Sequence, residues 1–195
     1  MTEIPVGRRA RKNAQTRAAL ATAAEQLFLA KGYDQVSVKE IADAVDISVP
    51  TLFNHVPGGK EAIMFDDGVE RREGLLAAVK QRPAGVSLMA SIREYMLTRG
   101  PFVTDPAPDV QRRTALIMKT PALRNYTRTM WIRSEGPLAE AIAAEAGLAP
   151  GDITARAAAR FILEIPEFVG DEPDPRAALN AIFELLENGF GSVWS

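Results

Sequence analysis

Ser37-Val38-Lys39-Glu40-Ile41-Ala42-Asp43-Ala44-Val45-Asp46-Ile47-Ser48-Val49-Pro50-Thr51-Leu52-Phe53-Asn54-His55-Val56 contains two helix starts in quick succession. Ser37 and Glu40 have the spacing of a capping box, in which the serine oxygen accepts from the third amide and the glutamate reaches back to the cap. Val38, Ile41, Ala42 and Val45 supply the apolar face of a short first helix. Asp46-Ile47 makes a tight turn, Ser48 caps a second helix, and Pro50 sits in its first turn, where a missing N–H costs little. Pro57-Gly58-Gly59 then breaks the chain. The two helices can pack through Ile41, Ala42, Val45, Ile47 and Leu52, with small Ala42 at their closest approach. Such a rigid pair can push its second helix into a DNA major groove. Spacing alone does not separate it from a short helix pair in any helical bundle.

Upstream, Leu20, Ala23, Ala24, Leu27 and Phe28 repeat at helical spacing and predict an amphipathic helix over residues 18–31, ended by Gly32. Before it lies a basic arm, Arg8, Arg9, Arg11, Lys12 and Arg17, with Glu3 as its one acid. The overall charge of −2 hides an asymmetry: eight Lys/Arg against six Asp/Glu in residues 1–60 leave a small basic head on an acidic body. Downstream, the pattern reads as long helices: Lys60 to about Gln81, Ala84 to Arg99, one ending at Lys119, residues 122–146 with an interruption at Gly136-Pro137, Asp152 to Phe168, and Arg176 to Val193. No segment alternates like a strand. The expectation is an all-α fold of about nine helices, with a three-helix domain over 1–60 and a helical domain over 61–195.

Several classes are disfavoured. With no cysteine, disulfides and thiolate metal sites are ruled out, and the reducing cytoplasm is the default compartment. No run of about eighteen apolar residues suggests a membrane span, and the N-terminus lacks the apolar core of a secretory signal. No Ser/His/acid set, phosphate-cradling glycine loop or metal constellation points to an enzyme, and no cofactor is expected. Glu61, Asp66, Asp67 and Glu70, followed by Arg71 and Arg72, read as a solvated helix face. A DNA-free helical carrier is the other rival.

The stretch from Val38 to Val56, followed by Lys60-Glu61-Ala62 and preceded by the helix that ends in Phe28, Gly32 and Tyr33, resembles the DNA-binding signature of the tetracycline-repressor (TetR) family. The resemblance is specific over residues 14–65; beyond them only helix number and length agree. Three residues depart from it. Asp46 stands where glycine is usual, Phe53 replaces a tyrosine whose hydroxyl contacts phosphate, and Val56 replaces a phenylalanine. On position, Val49, Pro50, Thr51 and Asn54 are candidates for base contact, since asparagine pairs bidentately with adenine and a threonine methyl can meet that of thymine. Ser37 and the Val38 amide form a phosphate seat. The resemblance implies backbone contacts for Thr51, His55 and Lys60, with Phe53 beside them. Arg17 and the arm from Arg8 to Lys12, expected to be disordered without DNA, add phosphate or minor-groove contacts.

A lone helix-turn-helix reads half a site, so a homodimer on a pseudo-palindromic DNA duplex is expected. The last two helices are the expected seam, through Ala158, Phe161, Ile165, Phe168, Ala178, Ile182, Leu185, Leu186 and Gly189. Met89, Met96, Phe102, Met118, Tyr126, Met130, Trp131 and Phe161 are candidates to line a cavity for an unidentified small-molecule effector, or else plain core. Glu135 and Glu164, in apolar surroundings, could meet a polar group of the effector. The resemblance implies a repressor that its effector releases from DNA, with the helix predicted over 60–81 as lever.

Overall fold

A computed structural model describes residues 7–65 and 67–189. These residues form ten α-helices and two 3-10 turns, with no strand, so the all-α expectation holds. The chain divides into two compact units, Met1–Asp67 and Gly68–Ser195.

In the first unit, α1 (Arg8–Lys31) packs against α2 (Val38–Ala44), α3 (Val49–His55) and a 3-10 turn, Glu61–Met64. Leu20, Ala24 and Phe28 repeat every four residues along α1 and are fully buried, together with Val36, Ile41, Ala42, Leu52, Val56, Ala62, Ile63 and Met64. Gly32, at φ +85°, ends α1 by donating its amide to the Phe28 carbonyl. The helix starts ten residues before the predicted Ala18, so Arg8 to Lys12 are helical rather than a loose arm. Between Gly7 and Gly32 the chain holds no breaker and many good helix formers, which lets the turns already fixed by packing propagate backwards.

The turn between α2 and α3 closes as the sequence suggests. Asp46 adopts φ +56°, and the Ile47 amide donates back to the Ala42 carbonyl at 3.1 Å. A left-handed non-glycine residue costs roughly 1–2 kcal/mol, less for aspartate. Asp46→Gly is therefore expected to raise stability by up to about 1 kcal/mol, seen as a higher unfolding temperature. A lower one would mean that the aspartate side chain contributes more than its backbone costs.

The second unit contains α4 (Val69–Lys80), α5 (Leu88–Met96), a 3-10 turn at Gly100–Phe102, α6 (Pro108–Lys119), α7 (Pro121–Ile132), α8 (Glu135–Glu145), α9 (Ile153–Val169) and α10 (Pro175–Asn188). Helix α9 is the hub, packed against α7, α8 and α10. Helices α8 and α9 pack together, and each carries small buried alanines, Ala139 and Ala143 on α8 and Ala155 and Ala159 on α9. Leu75, Ile92, Met96, Phe102, Trp131, Leu138, Ile162, Leu179 and Phe183 fill the rest of the core.

Four predicted elements are corrected. The helix expected over 60–81 is split: after the 3-10 turn the backbone is extended at Phe65, and Gly68 turns it through φ +71° before α4 begins. Only glycine enters that region without steric cost. The helix over 84–99 is shorter, because Ser87 caps it at Leu88 by accepting from the Ala90 amide at 3.0 Å. The break within 122–146 falls at Arg133-Ser134, while Gly136-Pro137 lie in the first turn of α8, where proline is tolerated. The last helix ends at Asn188, with Gly189 at φ +71° beyond it; its predicted extension to Val193 reaches outside the described residues.

Candidate nucleic-acid interface

The α2–turn–α3 unit is fixed at both helix starts by side chains. Ser37 Oγ accepts from the Glu40 amide at 3.1 Å, and Glu40 Oε2 accepts from the Ser37 amide at 2.8 Å. Lys31, from the end of α1, pairs with the other Glu40 oxygen at 2.8 Å. Its ammonium and the Ser37 backbone donor hold the Glu40 carboxyl down at about 2. A carboxyl whose folded value lies below its unfolded one stabilises the fold above the ordinary glutamate range, and this is lost as pH falls towards 2. In an acid titration of the unfolding temperature, Glu40→Gln should therefore flatten the fall between about pH 4.5 and pH 2. An unchanged acid limb would show that Glu40 gains nothing from Lys31 and Ser37.

Ser48 caps α3 in the same manner, accepting from the Thr51 amide at 3.2 Å, and its hydroxyl lies 2.7 Å from that of Thr51. Leu52 is the buried anchor of α3. At 100° per residue, Pro50 and Asn54 fall opposite Leu52 and are exposed; Phe53, 40% exposed, and Thr51 flank them. Val49 and His55 are half-buried at the edges. The outward face of α3 is thus Pro50, Thr51, Phe53 and Asn54. The Thr51 hydroxyl is engaged at the cap. Ser37 is exposed at the start of α2 and Val38 is half-buried behind it. On α1, Arg17 is half-buried, while Arg8, Arg9, Arg11 and Lys12 are exposed.

Lys60 is placed differently from a free phosphate ligand. Its ammonium donates to the Tyr33 carbonyl at 2.5 Å and lies 4.0 Å from the centroid of the Tyr33 ring. The Tyr33 hydroxyl donates to Glu61, and burial together with this carboxylate pushes the phenol well above its usual value. Nothing in the local sequence marks Tyr33 and Glu61 as partners, because 28 residues separate them.

The residues proposed for an effector cavity do not all meet. Met96, Phe102 and Trp131 share the buried core, with half-buried Met89 against it. Met130 is buried, with its Cε beside Gly68; Tyr126 is half-buried. Met118 covers Gly170, where a Cβ would lie 2.1 Å from its Cε. Phe161 stands apart on the outer face of α9, 60% exposed, as does Phe168 at 73%. Both border an open groove of about 610 Å³, lined also by Asn125, Arg128, Arg160, Glu164 and Glu167. Of the other seam candidates, Ile165 is buried in the core. Ala158, Ala178, Ile182, Leu185 and Leu186 are half-buried, and Gly189 is exposed. Glu164 accepts from Arg128 at 2.5 and 2.6 Å and pairs with Arg160 at 3.1 Å, and Arg160 also reaches Glu135 at 2.8 Å. The two glutamates are thus engaged by the chain's own arginines.

No group of three His, Cys, Asp or Glu side chains that could hold a metal converges among the described residues, and none of their helices is long and apolar enough to cross a membrane. Residues 20–66 match the model for bacterial regulatory proteins of the tetR family, and residues 86–191 match that for the MftR C-terminal domain. The chain is 32% identical over 170 residues to the HTH-type transcriptional regulator TcmR of Streptomyces glaucescens, covering 84% of this chain and 74% of that one. It is 30% identical over 148 residues to MftR of Mycobacterium tuberculosis, covering 74% and 71%. Among solved structures, NalD, the secondary repressor of the MexAB-OprM multidrug efflux pump in Pseudomonas aeruginosa, shares the fold with a TM-score of 0.55 at 22% identity, covering 91% of this chain and 96% of that one. Salmonella enterica GusR does so with 0.53 at 22%, covering 89% and 94%. A capped helix-turn-helix joined to a helical body of this kind defines a DNA-binding transcriptional regulator. The chain belongs to the TetR family.

Proposed function

We propose that the protein is a homodimeric repressor that binds a pseudo-palindromic operator and leaves it when a small molecule binds the Gly68–Ser195 unit. The observation that carries this reading is the outward face of α3, Pro50 to Asn54, on a helix pair locked by two serine caps and a left-handed turn residue. A face held this rigidly can present Asn54 to a base edge, while Arg17, His55 and the start of α2 lie nearer phosphates. NalD is described as a repressor, which supports repression over activation. Pairing is supported by Phe161 and Phe168, two large exposed apolar side chains one heptad apart on α9. Knob and groove lie on the same surface, as a two-fold interface requires.

Release by a ligand needs two body conformations that differ in how well the two recognition helices match successive major grooves, roughly 34–36 Å apart. A coupling of about 1–3 kcal/mol would weaken DNA binding 5- to 150-fold. The methionine- and aromatic-rich interior around Met89, Met96, Phe102 and Trp131 supports an apolar effector.

Selection of bound duplexes from a random pool tests the reading. Enrichment of an inverted repeat by the folded, ligand-free protein is the expected result. Failure to enrich any sequence would sink it and favour a helical carrier.

A further inference from the structure

Lys60 and Glu61 are neighbours in sequence, and both hold the same distant residue. Lys60 Nζ donates to the Tyr33 carbonyl at 2.5 Å, and its charge lies 4.0 Å from the Tyr33 ring and 5.5 Å from that of Phe28. Glu61 accepts a hydrogen bond from the Tyr33 hydroxyl. The two rings are themselves in contact, with centroids 5.1 Å apart at an interplanar angle of 58°. Tyr33 follows the glycine that ends α1, and Lys60 follows Gly59, whose φ of +89° redirects the chain after α3. Everything between the two ties is α2, the turn and α3. Residues 33 and 60 therefore close a loop that holds the whole DNA-reading pair, fastened at one point by backbone, ring and hydroxyl of a single tyrosine.

We infer that Lys60 is a positioning residue for DNA binding, a pin that fixes the exit of α3 against the exit of α1, and not a phosphate ligand. An ammonium is compact and has three donors. Here one donor is used on a carbonyl while the charge faces an aromatic pair, an attraction that strengthens when the cation is desolvated. Together the carbonyl and the rings hold the ammonium at this seat. Val36 also donates to the Tyr33 carbonyl, at 3.3 Å, so releasing Lys60 would loosen the entry to α2 as well. The inference rests on the DNA-binding reading, but its test separates the two.

The test uses the full chain and the duplex that the wild type enriches. Lys60→Met is expected to weaken binding on the order of tenfold, the effect of a cation–π contact and a charged hydrogen bond. The slope of log K against log[salt] should stay unchanged, whereas loss of a phosphate contact lowers it by about 0.9 per site. Tyr33→Leu should weaken binding similarly, and the double variant no further, since both break one pin. Lys60→Arg, which keeps the charge and can reach phosphate but not the same compact seat, should be as weak as Lys60→Met. A lower slope, additive losses, full rescue by arginine, or a lower unfolding temperature with affinity intact would each overturn the inference. Hydrogen exchange reads the pin without DNA: the Ile41 and Leu52 amides should exchange faster in Lys60→Met. Unchanged exchange there would overturn it whatever the DNA result, while a wild type that enriches no duplex sinks the DNA-binding reading instead.

Discussion

Replacing Phe161 and Phe168 together by glutamate is expected to convert a dimer into monomers, and sedimentation equilibrium would show it directly. The two residues lie seven apart on α9 and so on one face, and they are among the most exposed large apolar side chains described, at 60% and 73%. Burying a phenylalanine contributes roughly 1.5–3 kcal/mol, and two-fold symmetry counts each residue twice, giving about 6–12 kcal/mol for the pair. Each kilocalorie counts, because about 1.4 kcal/mol is a factor of ten in dissociation constant. The substitutions also place new carboxylates beside Glu164 and Glu167. Binding to the enriched inverted repeat should fall with the dimer, while the body stays folded, because neither side chain belongs to the core. A variant that dimerises as tightly as the wild type would move the seam to the half-buried apolar face of α10, around Ile182 and Leu185.

Asn54→Ala is the second large effect. Asn54 is exposed opposite buried Leu52, so its removal leaves the packing of α3 intact. A bidentate base contact is worth roughly 1–3 kcal/mol, and a dimer makes it twice, so affinity for the operator should fall by about 2–6 kcal/mol. Binding to unrelated duplexes at low salt should not change, since phosphate contacts dominate it. Repeating the selection with the variant is the decisive check: one position in each half-site should lose its base preference. If all positions weaken equally, Asn54 touches phosphate and the reading face must be re-centred on Pro50 and Thr51.

How much of this was legible in the sequence depends on how local the signal is. The capping box at Ser37-Glu40, the Ser48 cap and the left-handed Asp46 are encoded within a few residues, and each appears as expected. The break at Gly68 was equally local, since an Asp-Gly pair is a turn signal, but the acidic run before it reads as one continuous helix face. The length of α1 was lost for the opposite reason: its first turns bury little, so no apolar period announces them. The tie of Lys60 and Glu61 to Tyr33 and the arginines on Glu164 depend on which elements meet in space. Short-range patterns do not carry that, and so the sequence marks which side chains of α3 face outward but not which side chains meet in the body. Phe161 shows the ambiguity best, because a helical stripe records that a side chain is apolar and not whether it faces core, cavity or partner.

The early start of α1 has a consequence for how the basic residues could act. Arg8 lies twelve helical steps before the fully buried Leu20, a reach of about 18 Å. Along it, Arg8, Arg9, Arg11 and Lys12 spread over about 160° of the helix surface, with Arg8 beside Arg11 and Arg9 beside Lys12. A flexible tail would lose about 1–2 kcal/mol of backbone freedom for each residue it ordered on a duplex. A rod loses almost none. Its charges arrive already spaced, so where they land depends on the direction of one helix axis and not on a search by a tether.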